Sequence, residues 1–189
     1  MLERSVDAFD NAVDRWMSPL RGRRLPDAVA SSASALGDHG LIWFLLGLVR
    51  AHRRGRRRSV AVRAVVFTGL VVPGVNAALK TMVGRVRPEP PDRHVLRVRV
   101  PRTASFPSGH TLAAWCAATL FADQDPWWPV YFGAAAVISV SRVHVRLHHA
   151  TDVVAGALLG TALGTLGKRL FPVPHEVEGR LESSCVWKG

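Results

Sequence analysis

A chain of 189 residues is long enough for one domain with a real core and too short for two comfortable ones. It carries 25 Lys and Arg against 14 Asp and Glu, a net charge of +11 that comes almost wholly from arginine, the better residue for bidentate phosphate contacts. Yet 48% of its residues are hydrophobic and its mean hydropathy is +0.13, which excludes an ordinary soluble basic domain and points to the bilayer.

The cysteines, Cys116 in an apolar run and Cys185 in a polar tail, imply no disulfide framework. Met1 to Leu20 lacks the basic start and unbroken apolar core of a cleavable signal, so residues 1–189 are read as one mature membrane-embedded domain.

Leu2, Val6, Phe9, Val13, Trp16 and Leu20 recur at spacings of three and four, with Glu3, Asp7, Asp10 and Asp14 on other faces. This predicts an amphipathic helix that ends near Pro19, within an N-terminal segment 1–24. Arg21, Arg23 and Arg24 then read as a turn, solvated or near lipid head groups. Leu25 to Leu36 predicts a helix of small residues, broken at Gly37-Asp38-His39-Gly40, where Asp38 and His39 read as a polar cap. Leu41 to Val49 is too short to span alone and must recruit residues on one side or both.

Arg50, Arg53, Arg54, Arg56, Arg57 and Arg58 form the densest basic block, which the positive-inside rule assigns to the cytoplasmic side. A nucleic-acid patch is the rival reading, but the block has no interleaved aromatic residue and both flanks are apolar, so no nucleic-acid partner is expected. Val60 to Leu79 predicts a crossing toward the outer side, with Arg63 snorkelling at its start, a kink at Pro73, and Asn76 as a helix-packing hydrogen bond. It emerges at Lys80 to Pro88. Residues 88–104, with four prolines and Arg93, His94, Arg97, Arg99 and Arg102, read as an exposed outer loop.

Phe106 to His110 opens a helix to about Ala122, and residues 123–126 form an inner turn. Trp127, Trp128 and Tyr131 mark a head-group-level cluster at the start of the next helix, which returns to Ser141-Arg142. The last crossing carries Gly156, Gly160 and Gly164, a stripe for close packing within the bundle or in a homo-oligomer. Lys168 and Arg169 close it inside, and residues 172–189 read as a polar tail. The fold class is therefore all-α, a bundle of about five transmembrane helices plus the N-terminal amphipathic helix. Five crossings put Arg21 to Arg24 outside, against the charge bias that fixes Arg50 to Arg58 inside.

On this topology three motifs reach one face: Lys80 with Arg87-Pro88, then Pro107-Ser108-Gly109-His110, then Ser141-Arg142 with His148 and Asp152. If the chain is helical from about residue 148, His148 and Asp152 share a face, so that the carboxylate holds one imidazole nitrogen and leaves the other to attack. Together the motifs resemble the type 2 phosphatidic acid phosphatase superfamily, whose pocket is shared with the vanadium haloperoxidases. The resemblance covers about residues 60–170, and the preceding helices look compatible with small bacterial members that act on polyprenyl diphosphates.

That resemblance implies roles. His148 would be the nucleophile that forms a phosphohistidine, Asp152 would fix its tautomer, and His110 would protonate the departing oxygen and later activate water. Lys80, Arg87, Arg142, Ser108 and Gly109 would bind the phosphate oxygens, with no metal and no cofactor. His144 and His149 read as pocket-edge or packing residues, and Arg85 and Arg146 as surface or head-group charges.

The expected protein is an integral lipid phosphatase of the bacterial inner membrane, its site facing outward. Polyprenyl diphosphate or a polyprenyl-phosphate sugar phosphate is the favoured substrate, with phosphatidylglycerophosphate or phosphatidate as alternatives. Vanadate-dependent halide oxidation belongs to larger soluble enzymes, and a non-catalytic membrane scaffold is the alternative of another class.

Overall fold

The computed structural model describes residues 2–37, 40–52, 55–89, 101–123 and 125–174. Asp38, His39, Arg53, Arg54, Arg93, His94, Arg97, Arg99 and the tail beyond residue 174 lie outside them. Among the described residues the structure is all helical: α1 Leu2–Met17, α2 Arg24–Gly37, α3 Leu41–Ala51, α4 Arg56–Val83, α5 Gly109–Phe121, α6 Trp128–His144 and α7 Ala150–Leu170. A short 3-10 turn, Ser18–Leu20, follows α1 at the predicted proline break.

The centre of the bundle is α5, which packs against α4, α6 and α7. Beyond His110 its sequence is apolar or small all round, and Leu112, Ala114, Cys116, Ala117, Ala118, Leu120 and Phe121 are all buried, as a helix packed against three others requires. The glycine stripe of α7 makes the closest approach. A Cβ on Gly156 would meet the Ser108 carbonyl oxygen at 2.8 Å, one on Gly164 would meet Thr119 Cβ at 2.6 Å, and one on Gly160 would collide with the Leu112 carbonyl. Small residues let the two backbones close, and in hydrocarbon that packing must replace the hydrophobic drive available in water.

Outward-facing leucines such as Leu48, Leu70 and Leu158 remain exposed, as a lipid-facing surface requires. Two helices, α4 and α7, are individually long and apolar enough to cross a membrane, and α2 with α3 passes as a pair bent by 59°. The bent pair supplies the extra residues that Leu41 to Val49 lacked. The remaining expected crossings, α5 and α6, have 13 and 17 residues. Both are shorter than the roughly 20 residues of a full span.

Chain direction decides where the motifs meet. The C-terminal ends of α4 and α6 and the N-terminal ends of α5 and α7 lie at one end of the bundle. Ions gather at the other end. Asp123 accepts from Arg63 at 2.6 Å and pairs with Arg56 at 3.4 Å, while Asp125 pairs with Arg50, which also bonds the Tyr131 hydroxyl. Sequence reading treated Asp123 and Asp125 as turn residues and Tyr131 as an interfacial aromatic. Tyr131 is instead buried beside Phe121, and the two aspartates tie part of the basic block to the bundle.

Candidate active site

Three short backbone segments build the pocket. The first follows α4, where Gly84 takes a left-handed φ of 59° and ends the helix ahead of Arg85 and Arg87. The second runs from Thr103 to Gly109, pinned by the Ser105 N–H donating to the Arg85 carbonyl at 2.7 Å and the Ser108 N–H donating to the Asp152 carbonyl at 3.1 Å. The third joins α6 to α7. There Arg146 adopts a left-handed φ of 53°, and the Leu147 and His148 N–H groups turn back to the Arg142 carbonyl at 3.1 and 3.2 Å.

His148 is 3% exposed and lies between opposite charges. Its Nδ1 is 3.7 Å from Asp152 Oδ2, an ion-pair separation longer than a hydrogen bond, and its Nε2 is 3.3 Å from Arg87 Nη1. Because α7 begins at Ala150, His148 precedes the helix, which corrects the expectation of a shared helical face. The tight turn, not an i to i+4 stripe, brings the imidazole back over the carboxylate.

Asp152 is fully buried and well supplied with donors. It accepts from the Ser105 hydroxyl, from the His149 N–H at 2.9 Å and from Arg85 Nη1 at 2.8 Å. Arg87 gathers the pocket wall: Nη1 donates to the Leu147 carbonyl at 2.6 Å, Nε to the Thr103 carbonyl at 2.9 Å and Nη2 to the Ala104 carbonyl at 3.2 Å. Lys80 donates to the same Ala104 carbonyl. The end of the expected exposed loop, residues 103 and 104, together with Ser105 is therefore a wall of the pocket. Arg142 is 2% exposed and donates to Ser34 of α2, and its charge reaches both His148 and Lys80.

Ser108 precedes the first turn of α5 and is buried, its hydroxyl accepting from Thr111 at 3.0 Å. Gly109 lies against the Asn76 side chain, 2.9 Å from where a Cβ would stand, so Asn76 packs α4 on α5, but by contact and not by the expected hydrogen bond, since its Oδ1 is buried without a partner among the described residues. His110, on the same turn, lines a cavity between α2, α3, α4 and α5, and its Cδ2 is 3.3 Å from where a Gly37 Cβ would stand.

Several supporting residues were invisible as such in the sequence. Ser105 carried no signal. Arg85 is not a surface charge but joins Asp10 of α1 at 2.7 Å to Asp152. Arg146 pairs with Asp14 at 3.1 Å, and Arg21, expected in solvent or among head groups, donates to Asp14 at 2.6 Å and to the His144 carbonyl at 3.0 Å. Arg21 therefore lies at the site-bearing end of the bundle. His144 is a packing residue, bonded to Asp27 at 2.7 Å, and His149 caps α7.

Burial, with the Arg87 and Arg142 charges adding to it and Asp152 opposing, pushes the His148 imidazole down to about 4. It is therefore neutral at physiological pH, with a lone pair available. Histidine NMR titration in detergent is expected to find one imidazole, lost in His148→Gln, that stays neutral down to about pH 4. A midpoint at the ordinary value of about 6.5 would contradict this environment.

A buried imidazole thus lies between a carboxylate and a cluster of cations, at one end of a helical bundle with candidate membrane-spanning helices, the architecture of a membrane protein. Residues 60–174 match the family model described as the PAP2 superfamily, and the chain belongs to that superfamily of phosphatases. It is 30% identical over 141 residues to the decaprenylphosphoryl-5-phosphoribose phosphatase of Mycobacterium tuberculosis, covering 74% of this chain and 77% of that one. It is 36% identical over 153 residues to the lipid A 1-phosphatase of Porphyromonas gingivalis, covering 70% of this chain but 32% of that one. The fold resembles the crystal structure of a PAP2-type phosphatidylglycerolphosphate phosphatase from Bacillus subtilis, with a TM-score of 0.70, 24% identity, and coverage of 88% and 86% of the two chains.

Proposed function

We propose that this membrane phosphatase hydrolyses a phosphate ester or diphosphate carried by a polyprenyl lipid, a polyprenyl-phosphate sugar phosphate above all, through a phosphohistidine on His148. The observation that carries the reading is the imidazole itself, with Nδ1 toward Asp152 and Nε2 toward Arg87. In the first step Nε2 attacks the terminal phosphorus in line, the N–P bond forms, and the bond from that phosphorus to the leaving oxygen, the sugar oxygen of a sugar phosphate or the bridging oxygen of a diphosphate, breaks as His110 gives that oxygen a proton. In the second, His110 takes a proton from water, the water oxygen attacks phosphorus, and the N–P bond breaks to release inorganic phosphate. Lys80, Arg87 and Arg142, with Ser108 and the Gly109 N–H, hold the non-bridging oxygens, supplying from side chains and a helix end the charge that a metal supplies elsewhere.

The tail reading rests on the cavity beside His110. It holds about 320 Å³ and is walled by Gly37, Trp43, Phe44, Val72 and Asn76. That is near the lower end of the roughly 300–1,000 Å³ typical of small-molecule sites, room for the start of one chain better than two. The name of the mycobacterial relative supports a polyprenyl-linked sugar phosphate. The basic block at the far end of the bundle supports a bacterial plasma-membrane orientation with the pocket outside.

The test is phosphate release by the purified protein in detergent with excess chelator, against polyprenyl diphosphate, a polyprenyl-phosphate sugar phosphate, phosphatidylglycerophosphate and phosphatidate. Full activity with chelator and at least about a tenfold higher kcat/KM on a polyprenyl substrate are expected, a gap of about 1.4 kcal/mol in transition-state binding. Activity that vanishes with chelator and returns with magnesium would overturn the mechanism. Preference for a diacyl lipid would overturn the substrate.

A further inference from the structure

The N-terminal helix α1 reaches the wall of the pocket through the buried side chain of Asp10. Asp10 is 7% exposed and both its oxygens are used: Oδ1 accepts from the Thr151 N–H at 2.8 Å, and Oδ2 accepts from the Thr151 hydroxyl at 2.8 Å and from Arg85 Nη2 at 2.7 Å. Thr151 lies in the first turn of α7, where N–H groups have no partner within the helix. Asp10 therefore caps α7 from a helix 141 residues away in sequence. Arg85 completes the chain of contacts. Its other terminal nitrogen, Nη1, donates to the Thr151 hydroxyl at 2.7 Å and to Asp152 Oδ1 at 2.8 Å.

This arrangement separates Arg85 from the other cations of the pocket. A guanidinium whose two ends are each bonded to a carboxylate has its fork committed, so Arg85 orients rather than binds phosphate. It fixes Oδ1 of Asp152 while Oδ2 faces His148, and Asp10 fixes Arg85. We propose that Asp10, acting through Arg85, is a positioning residue for the Asp152–His148 pair, making α1 a structural part of the reaction centre. The inference rests on His148 being the nucleophile.

A second acid on α1 provides the comparison. Asp14 also bonds two arginines, Arg21 at 2.6 Å and Arg146 at 3.1 Å, but its side chain is 36% exposed and none of these contacts leads to Asp152. These pairs are part-buried and lie away from the Asp152–His148 pair.

The experiment compares Asp10→Asn, Asp14→Asn and His148→Ala in the detergent assay, with kcat and KM determined separately and thermal unfolding recorded. Asp10→Asn is expected to lower kcat about 10- to 100-fold with KM within about threefold of wild type, the range for loss of a group that orients a reacting residue. Asp14→Asn is expected to stay within about threefold in both. Should Asp10→Asn fail to fold, Arg85→Lys is measured instead, since it keeps the charge, loses the fork and is expected to show the same kcat loss. A wild-type kcat in Asp10→Asn beside an inactive His148→Ala would overturn the inference alone. So would equal losses in the Asp10 and Asp14 variants, which would mean that α1 only needs to be docked. Full activity in His148→Ala would end the nucleophile assignment and this inference with it.

Discussion

Replacing His148 with alanine is expected to lower kcat at least about 10⁴-fold while leaving the protein folded. The variant keeps every proposed phosphate-binding cation, so KM changes little, but it lacks the imidazole nitrogen that lies 3.3 Å from Arg87 Nη1. Nucleophile deletions in covalent enzymes cost this much or more. A phosphoryl label trapped on the wild-type chain should be absent from the variant. The backbone turn survives, because the residue 148 N–H still donates to the Arg142 carbonyl. Stability against pH offers a second reading. The folded imidazole titrates at about 4 and an unfolded one near 6.5, so between these values the unfolded chain binds the extra proton and wild-type stability falls as pH drops. The alanine variant should lose that slope. Residual activity within tenfold of wild type would remove His148 from the mechanism.

Arg87→Ala is expected to reduce kcat by about 10²- to 10³-fold, the usual cost of deleting a group that stabilises charge in the transition state. Arg87→Lys should recover little of it. The guanidinium bonds the Leu147, Thr103 and Ala104 carbonyls from three different nitrogens, so it holds the two walls of the pocket at a fixed separation as well as carrying charge. Lysine supplies the charge on one nitrogen and cannot bridge both walls. Kinetics of the two variants beside wild type check this, and a lysine variant with near wild-type kcat would show that charge alone suffices.

Most of the helices were legible from the chain because each has a local cause. The period of three and four in residues 2–20, the apolar run behind Arg56 and the glycine stripe of α7 are properties of neighbouring residues. The three motifs were legible for a related reason: each is short, and the alternation of crossings brings them to one end however the helices pack. What periodicity could not distinguish was which polar groups the fold would enclose. Asp10 and Asp14 occupy similar places in an amphipathic pattern, yet one is buried against Thr151 and Arg85 and the other is partly exposed. Arg85 and Arg87 are two residues apart in one irregular segment, yet one is shared by two carboxylates and the other faces the imidazole.

The order of apolar and basic segments determined by itself a helical membrane bundle, and the three motifs brought to one of its ends carried the resemblance that implied a phosphatase. Only the tertiary structure decided that His148 meets Asp152 through a turn, that residues 103–105 form a wall and that α1 caps α7. The reason is physical: helix formation and membrane partitioning are written in local sequence, whereas the partner of a buried charge comes from whatever element packs against it, here from residues up to 141 positions away.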